Sequence, residues 1–344
     1  MKKTLPLTLL AGAALLATSA FAQSQPAKAE ASMQKVLDAQ ASLKPKPVET
    51  LTPEEARKQP TPADGVKKVL ADMGRPTAPE PGVTVKDMTI KSGDASVPIH
   101  VYTPEGKGPF PVMVYYHGGG FVIADTQVYD ATPRALAKMA NAIMVSVDYR
   151  RAPEHTFPAA PNDAFAAYQW VLAHAKEING DPSRVAVGGE SAGGNLATVV
   201  SMMARDKKVA LPLHQLLVYP VVNDDMNTAS YKQNAQAKPL NKPMMAWFFK
   251  HYGGDPKNPY ALPMKATSLK GLPPATIVAA EIDPLLSEGK AYADKLKKDG
   301  IAVNYKEYSG VTHEFFGMGA VVPKAREAEQ FAADALKKAF AAKK

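Results

Sequence analysis

Gly189-Glu190-Ser191-Ala192-Gly193 is the stretch on which the reading of this chain turns. It follows the apolar run RVAV (184–187) and precedes GNLATVVSMMAR (194–205), whose composition suits a helix. A strand that turns sharply into a helix holds the residue at the turn in a strained backbone, and only small neighbours fit beside it. G-x-S-x-G in that setting presents a serine hydroxyl as a nucleophile. The pentapeptide alone also describes an ordinary glycine-rich turn, so the flanking strand and helix carry the argument.

Outward from this point the chain alternates short apolar runs with helix-like segments. KDMTIKSG (86–93) and SVPIHVYTP (96–104) read as a strand pair joined by a turn. PVMVYY (111–116), AIMVSVDY (142–149), RVAVGG (184–189), HQLLVYP (214–220), ATIVAAE (275–281) and AVNYKEY (302–308) follow, most separated by helical stretches such as 164–177 and 292–298. That rhythm predicts an α/β chain with a mostly parallel sheet covered by helices on both faces. Residues 83–344 are assigned to this domain. The stretch 223–264, with MMAWFFKHY (244–252), is longer than a normal connection and is expected to insert over the site. The Ala-rich segment 325–340 should pack on the sheet as a closing helix.

Before this domain, residues 23–82 are rich in Ala, Lys and Pro, with two helical pieces near Met33–Leu43 and around Val66, Val69, Leu70 and Met73. They form a helical arm expected to pack on the later core. Lys2 and Lys3, the apolar stretch from Leu5 to Ala17 and the Ala20-Phe21-Ala22 pattern read as an export signal over 1–22, too short to serve as a membrane anchor. The expectation is a periplasmic or secreted protein with no stable membrane anchor. Without cysteine, neither a disulfide nor a lipidated N-terminal cysteine can form. Losing Lys2 and Lys3 takes Lys plus Arg from 41 to 39 against 33 acids, about +6, with no basic stripe, so nucleic acid is not an expected partner.

A serine hydroxyl needs a base within hydrogen-bond reach and a third group to orient that base. In this arrangement acid and then histidine follow the serine, on loops after later strands. Asp283 follows ATIVAAE and His313 follows AVNYKEY. Of the other six histidines, His117 and His155 come too early, His174 and His251 fall in helical stretches, and His100 and His214 fall within or at the start of strands. Asp294 is helical and Asp224 and Asp225 precede the insertion, which leaves Asp283. Its alternative is a plain turn residue before Pro284. His117-Gly118-Gly119-Gly120-Phe121 follows PVMVYY, and consecutive glycines let backbone amides turn toward a developing oxyanion. Gly118, Gly119 and Ala192 are the expected donors. A phosphate cradle would need Gly-Lys-Ser or Gly-Lys-Thr, which does not follow here.

HGGGF (117–121), DYRRAPEHTFPAA (148–160), GESAGGNLA (189–197) and EIDPLLSEG (281–289) together resemble the bacterial hormone-sensitive-lipase-like carboxylesterases over about 109–316. The resemblance implies an α/β-hydrolase fold with an eight-stranded core, a cap of N-terminal helices plus an inserted segment, and a triad of Ser191, Asp283 and His313. It further implies that His117 braces the glycine loop and that Arg150, Arg151 and Glu154 are structural. Two departures stand out: Glu314 follows His313 where many members have Gly, and the arm is longer and richer in Lys and Pro than a typical cap. Phe121, Trp247 and Phe248 are the candidate substrate contacts, although aromatic residues at helical spacing are more often packing.

The activity expected is hydrolysis of short acyl esters through an acyl-enzyme. A lipase on longer chains, an amidase or peptidase with the same triad, and a silent binding protein are the alternatives. No metal or other cofactor is implied, because neither zinc-ligand spacing nor a dinucleotide fingerprint occurs in a suitable context. The partner is a small-molecule ester, and a homodimer through sheet edges or helices is left open.

Overall fold

The strand Phe110–Tyr116 explains the layering. Val112, Val114 and Tyr116 pack into one apolar cluster, while Met113 and Tyr115 pack into another. Side chains alternate across a strand, so a run apolar at every position must be buried on both faces. Burying each such side chain contributes roughly 1.5–3 kcal/mol.

The computed structural model describes Met1 and residues 27–342. Apart from Met1, the expected export signal lies outside the described residues. The strands are β1 (Val83–Ser92), β2 (Ala95–Pro104), β3 (Phe110–Tyr116), β4 (Ile143–Val147), β5 (Gly180–Glu190), β6 (Gln215–Val218), β7 (Ala275–Ile282) and β8 (Val303–Thr312). They form one eight-stranded sheet in the order β1-β2-β4-β3-β5-β6-β7-β8. The β1–β2 and β2–β4 pairs are antiparallel; every later pair is parallel. Ten helices are described: α1 (Ala31–Ser42), α2 (Pro53–Ala56), α3 (Pro62–Asp72), α4 (Ala131–Ala140), α5 (Ala159–His174), α6 (Ala192–Asp206), α7 (Ala229–Gln233), α8 (Lys242–Tyr252), α9 (Leu286–Lys298) and α10 (Pro323–Ala341). α5, α6 and α9 bury their apolar faces in one cluster, and α4 and α10 in the other, which Met33 and Val36 of α1 and Val69 of α3 extend.

The arm begins its helices in the way its sequence dictates. Thr52 and Thr61 each cap a helix and each meets the acid three residues on, Glu55 and Asp64, in reciprocal hydrogen bonds, with Pro at the first helical position. Beside this apolar packing, the arm docks through Arg57. Its Nε donates to the Val122 carbonyl and its Nη2 to the Ala152 carbonyl, both at 2.8 Å, and its two terminal nitrogens clasp Glu154 at 2.7 Å. That guanidinium holds the Glu154 carboxyl down at about 2. Trp247 of α8 donates from Nε1 to the Leu51 carbonyl at 3.1 Å, so arm and insertion are also joined to each other.

Candidate active site

Ser191 sits between β5 and α6 with φ +56° and ψ −116°, a backbone that costs roughly 1–3 kcal/mol and persists only where its surroundings enforce it. Here they do. Its N–H donates to the Val218 carbonyl at 2.9 Å, and its carbonyl accepts from Asn195 and Val221, both at 3.1 Å. The glycines of the motif are required by close approach: a Cβ on Gly193 would lie 1.9 Å from the Tyr116 carbonyl oxygen, and one on Gly189 2.4 Å from the Gly193 backbone.

The loops after β7 and β8 bring two more side chains to the serine. Asp283 accepts from the Leu285 N–H at 2.8 Å through Oδ1, and its Oδ2 lies 2.7 Å from His313 Nδ1. His313 Nε2 lies 3.0 Å from Ser191 Oγ. All three residues are buried, Asp283 fully. α7 of the insertion and the residue that caps its C-terminus brace the acid's loop: Asn234 Nδ2 donates to the Asp283 carbonyl at 3.1 Å, and the Ser230 hydroxyl donates to the Pro284 carbonyl at 2.6 Å.

Opposite the serine, Gly119 has φ +94°, and a Cβ there would lie 2.1 Å from the Ile123 carbonyl oxygen, so no other residue fits. His117 Nδ1 bonds to the Gly118 carbonyl at 2.8 Å, Tyr149 stacks on the imidazole at 4.3 Å, and the Tyr149 hydroxyl donates to the His117 carbonyl at 2.9 Å. The loop's carbonyls are thereby engaged, while the N–H groups of Gly118, Gly119 and Ala192 have no hydrogen-bond partner among the described residues. Ala192 opens α6, where the helix dipole adds positive potential.

Several acids crowd this histidine. Burial disfavours its charged form, but the Asp283 charge and hydrogen bond, with Glu314 and Glu190, outweigh it, and the pKa rises above the ordinary 6.5. Glu190 is fully buried, accepts from the Tyr115 and Tyr219 hydroxyls, and burial pushes its carboxyl up to about 7. Tyr219 in turn packs its ring against His313, centroids 4.4 Å apart. Glu314 Oε1 lies 3.7 Å from His313 Nε2, and both its oxygens accept from the Tyr129 hydroxyl at 2.7 Å. Burial raises its pKa as well.

A cavity of about 950 Å³ opens at Ser191 and His313. Gly119, Gly120, Met244, Phe248 and Glu314 line it, together with arm residues such as Leu37 and Arg57. Of the three aromatic residues expected to touch substrate, the structure brings only Phe248 to the cavity. Phe121 is turned away and stacks on Tyr252, centroids 3.8 Å apart, and Trp247 is held to Leu51 by its indole N–H. Both are packing residues, because the Leu51 carbonyl already takes the indole N–H of Trp247 and the Tyr252 ring already covers a face of Phe121. Among the described residues no group of three His, Cys, Asp or Glu could hold a metal ion, and no helix is long and apolar enough to cross a membrane.

A family model described as alpha/beta hydrolase fold matches residues 113–317, more than half of the chain. The chain belongs to the hormone-sensitive-lipase-like family of α/β-hydrolase carboxylesterases. This hydrolase is 39% identical to the carboxylesterase NlhH of Mycobacterium tuberculosis over 291 residues, 81% of this chain and 91% of that one. It is 30% identical to an ethyl acetate hydrolase of Pseudomonas putida over 298 residues, 84% of this chain and 91% of that one. The solved structure of a thermostable esterase from Pseudomonas putida ECU1011 matches with a TM-score of 0.83 at 36% identity, covering 92% of this chain and 99% of that one.

Three residues of this hydrolase's site escape a reading of motifs. Asn234 and Tyr129 meet their partners Asp283 and Glu314 across 49 and 185 residues of chain, and Arg57 reaches Glu154 across 97. No local pattern marks any of them. Pairing at such distances is visible only once the sheet has set the loops side by side.

Proposed function

We propose that this hydrolase is a serine carboxylesterase for esters of short acyl chains, working through a covalent acyl-enzyme on Ser191. The observation that carries this reading is the hydrogen-bonded line from Asp283 through His313 to Ser191, set opposite the unpartnered amides of Gly118, Gly119 and Ala192.

Each step follows from that arrangement. Asp283 at Nδ1 leaves the lone pair of Nε2 facing the hydroxyl, so His313 takes the serine proton as Oγ attacks the ester carbonyl. The oxyanion that forms is met by the three amides, a stabilisation worth on the order of 3 kcal/mol per donor. The imidazolium then protonates the departing alkoxide, and water repeats the sequence on the acyl-enzyme. The serine's backbone strain serves the same end, because it is spent before substrate arrives.

Short chains are favoured by the Phe248 ring, which lies so close over Gly120 that a Cβ there would be 2.2 Å from it and which narrows the space beside the glycine loop. The relative named for ethyl acetate supports the same range. A lipase acting on longer chains is the second reading, favoured by the extent of the cavity toward the arm.

The test is hydrolysis of p-nitrophenyl esters from acetate to palmitate, beside Ser191→Ala. Rates should peak at acetate to butyrate, and the substitution should lower kcat by about 10⁴-fold or more. A peak at long chains would move the assignment to lipase. Activity that survives the substitution would remove Ser191 as nucleophile.

A further inference from the structure

Glu314 occupies a position that its own backbone would give to glycine. β8 ends at Thr312, and the chain turns at once, with the Phe315 N–H donating to the Thr312 carbonyl at 3.2 Å. Glu314 is the third residue of that turn and has φ +70°. A third position with positive φ favours Gly or Asn, and a glutamate there works against the turn. Strain of this sort, next to a nucleophile, points to a use for the side chain.

The side chain's surroundings say which use. It lines the same cavity as Ser191 and His313, and the Tyr129 hydroxyl holds both its oxygens at 2.7 Å. Tyr129 stands against the glycine loop, since a Cβ on Gly118 would lie 2.2 Å from its hydroxyl oxygen. Glu314 is therefore fixed from behind. It is not needed to orient the imidazole, because Asp283 already does that from Nδ1 at 2.7 Å. It lies instead beside Nε2, at 3.7 Å, too far for a direct hydrogen bond. Two polar atoms at that separation can be bridged by one water at about 2.8 Å from each.

We propose that Glu314 positions the water that hydrolyses the acyl-enzyme. Once Ser191 Oγ is acylated it has no proton to offer, and the lone pair of Nε2 is free. Water then gives one hydrogen to Nε2 as its oxygen attacks the acyl carbon, and hydrogen-bonds Glu314 through the other. The tetrahedral intermediate collapses with cleavage of the carbon–Oγ bond, Oγ recovers the proton from Nε2, and the carboxylic acid leaves. Acylation involves no such water, so this water-positioning role of Glu314 belongs to one half of the cycle only.

This inference rests on the serine-esterase reading above, and its test separates the two. Glu314→Gly removes the carboxylate and suits the backbone of the turn, and Glu314→Gln keeps one accepting oxygen. With p-nitrophenyl acetate, Glu314→Gly should lower kcat on the order of 10- to 100-fold, the worth of one hydrogen bond to a charged group. KM should fall in parallel, leaving kcat/KM within about two-fold, because that ratio reports acylation. Stopped flow should reveal a burst of one p-nitrophenol per enzyme, and Glu314→Gln should recover part of the rate. A fall in kcat/KM equal to that in kcat, with no burst, would overturn the proposal in favour of a role in both steps or in structure. Unchanged kcat in both variants would overturn it too. Failure of the esterase reading looks different, since the unaltered protein would then release no phenol in a Ser191-dependent way.

Discussion

Ser191, Asp283 and His313 stand on backbone that has little freedom to move, whereas the arm above them is held through side chains, the apolar ones of Met33, Val36 and Val69 and the guanidinium of Arg57. Beneath the cavity, the sheet places each residue at the end of a parallel strand, and at Ser191 the neighbouring glycines exclude any other packing. Above it, Arg57 ties the arm to the loops at Val122, Ala152 and Glu154, Trp247 ties the insertion to the arm at Leu51, and a small apolar cluster that includes Ala56, Val122 and Phe248 lies between them. Chemistry built on backbone tolerates few sequences, and a roof built on side chains tolerates many. Changes in the floor should therefore abolish turnover, and changes in the roof should alter which ester is accepted.

The largest expected effect lies in the floor. Asp283→Asn keeps the shape of the site but presents an amide to Nδ1, so that the imidazole proton shifts to Nε2 and can no longer be exchanged for that of Ser191. kcat should fall about 10⁴-fold, while the melting behaviour of the arm stays as it was. The pH profile gives a second reading of the same bond. His313 acts only when neutral, so kcat/KM of the unaltered protein should decline as pH falls through a value above the ordinary 6.5. Residual activity of the variant should decline at a lower pH, because the charge that raises the imidazole pKa is gone. An unchanged acid limb would mean that Asp283 does not govern this histidine.

The contrast also accounts for what could be read from the residues in order. Ser191, Asp283 and His313 were legible because strand, turn and chain order leave few positions for them, and the glycine loop because only glycine can adopt φ +94° against the Ile123 carbonyl. The eight-stranded sheet was legible from runs such as PVMVYY that are apolar on both faces. Phe121 and Trp247 misled, because an aromatic letter in the sequence does not say which way its ring points. Arg57 was invisible for the opposite reason: it is one basic residue in a Pro-rich arm, and its four acceptor contacts come from chain 65 to 97 residues away.

An intermediate effect should come from Arg57→Ala, which removes one attachment of the roof without touching the floor. The loss in stability should be about 1–2 kcal/mol, modest because Glu154 is half exposed and its charge is screened. Turnover of a small ester such as p-nitrophenyl acetate should persist, with KM raised, and the preference among acyl chains should broaden. Limited proteolysis should nick the arm before the sheet. A fall in kcat on the small ester comparable to that of Asp283→Asn would erase the distinction between floor and roof.

The smallest effect on turnover is expected where the two regions join. Glu288, on α9, is buried and accepts from the N–H groups of Val222 and Asn223, at 2.8 and 3.2 Å, where the chain leaves the sheet for the insertion. Burial pushes its carboxyl from 4.5 up to about 8. Because the folded chain holds this proton more tightly than the unfolded one, the stability it lends is complete below about pH 4.5 and drains away as pH rises toward 8. The slope while the two states differ is about 1.4 kcal/mol per pH unit. Glu288→Gln keeps an accepting oxygen for the two amides and has no proton to lose. Urea melts of both proteins should nearly coincide at pH 4.5 and separate progressively toward pH 8, with the variant the more stable. Parallel curves would mean that the carboxylate is accommodated in its charged form. The point where the roof leaves the floor would then be held as firmly at pH 8 as at pH 5.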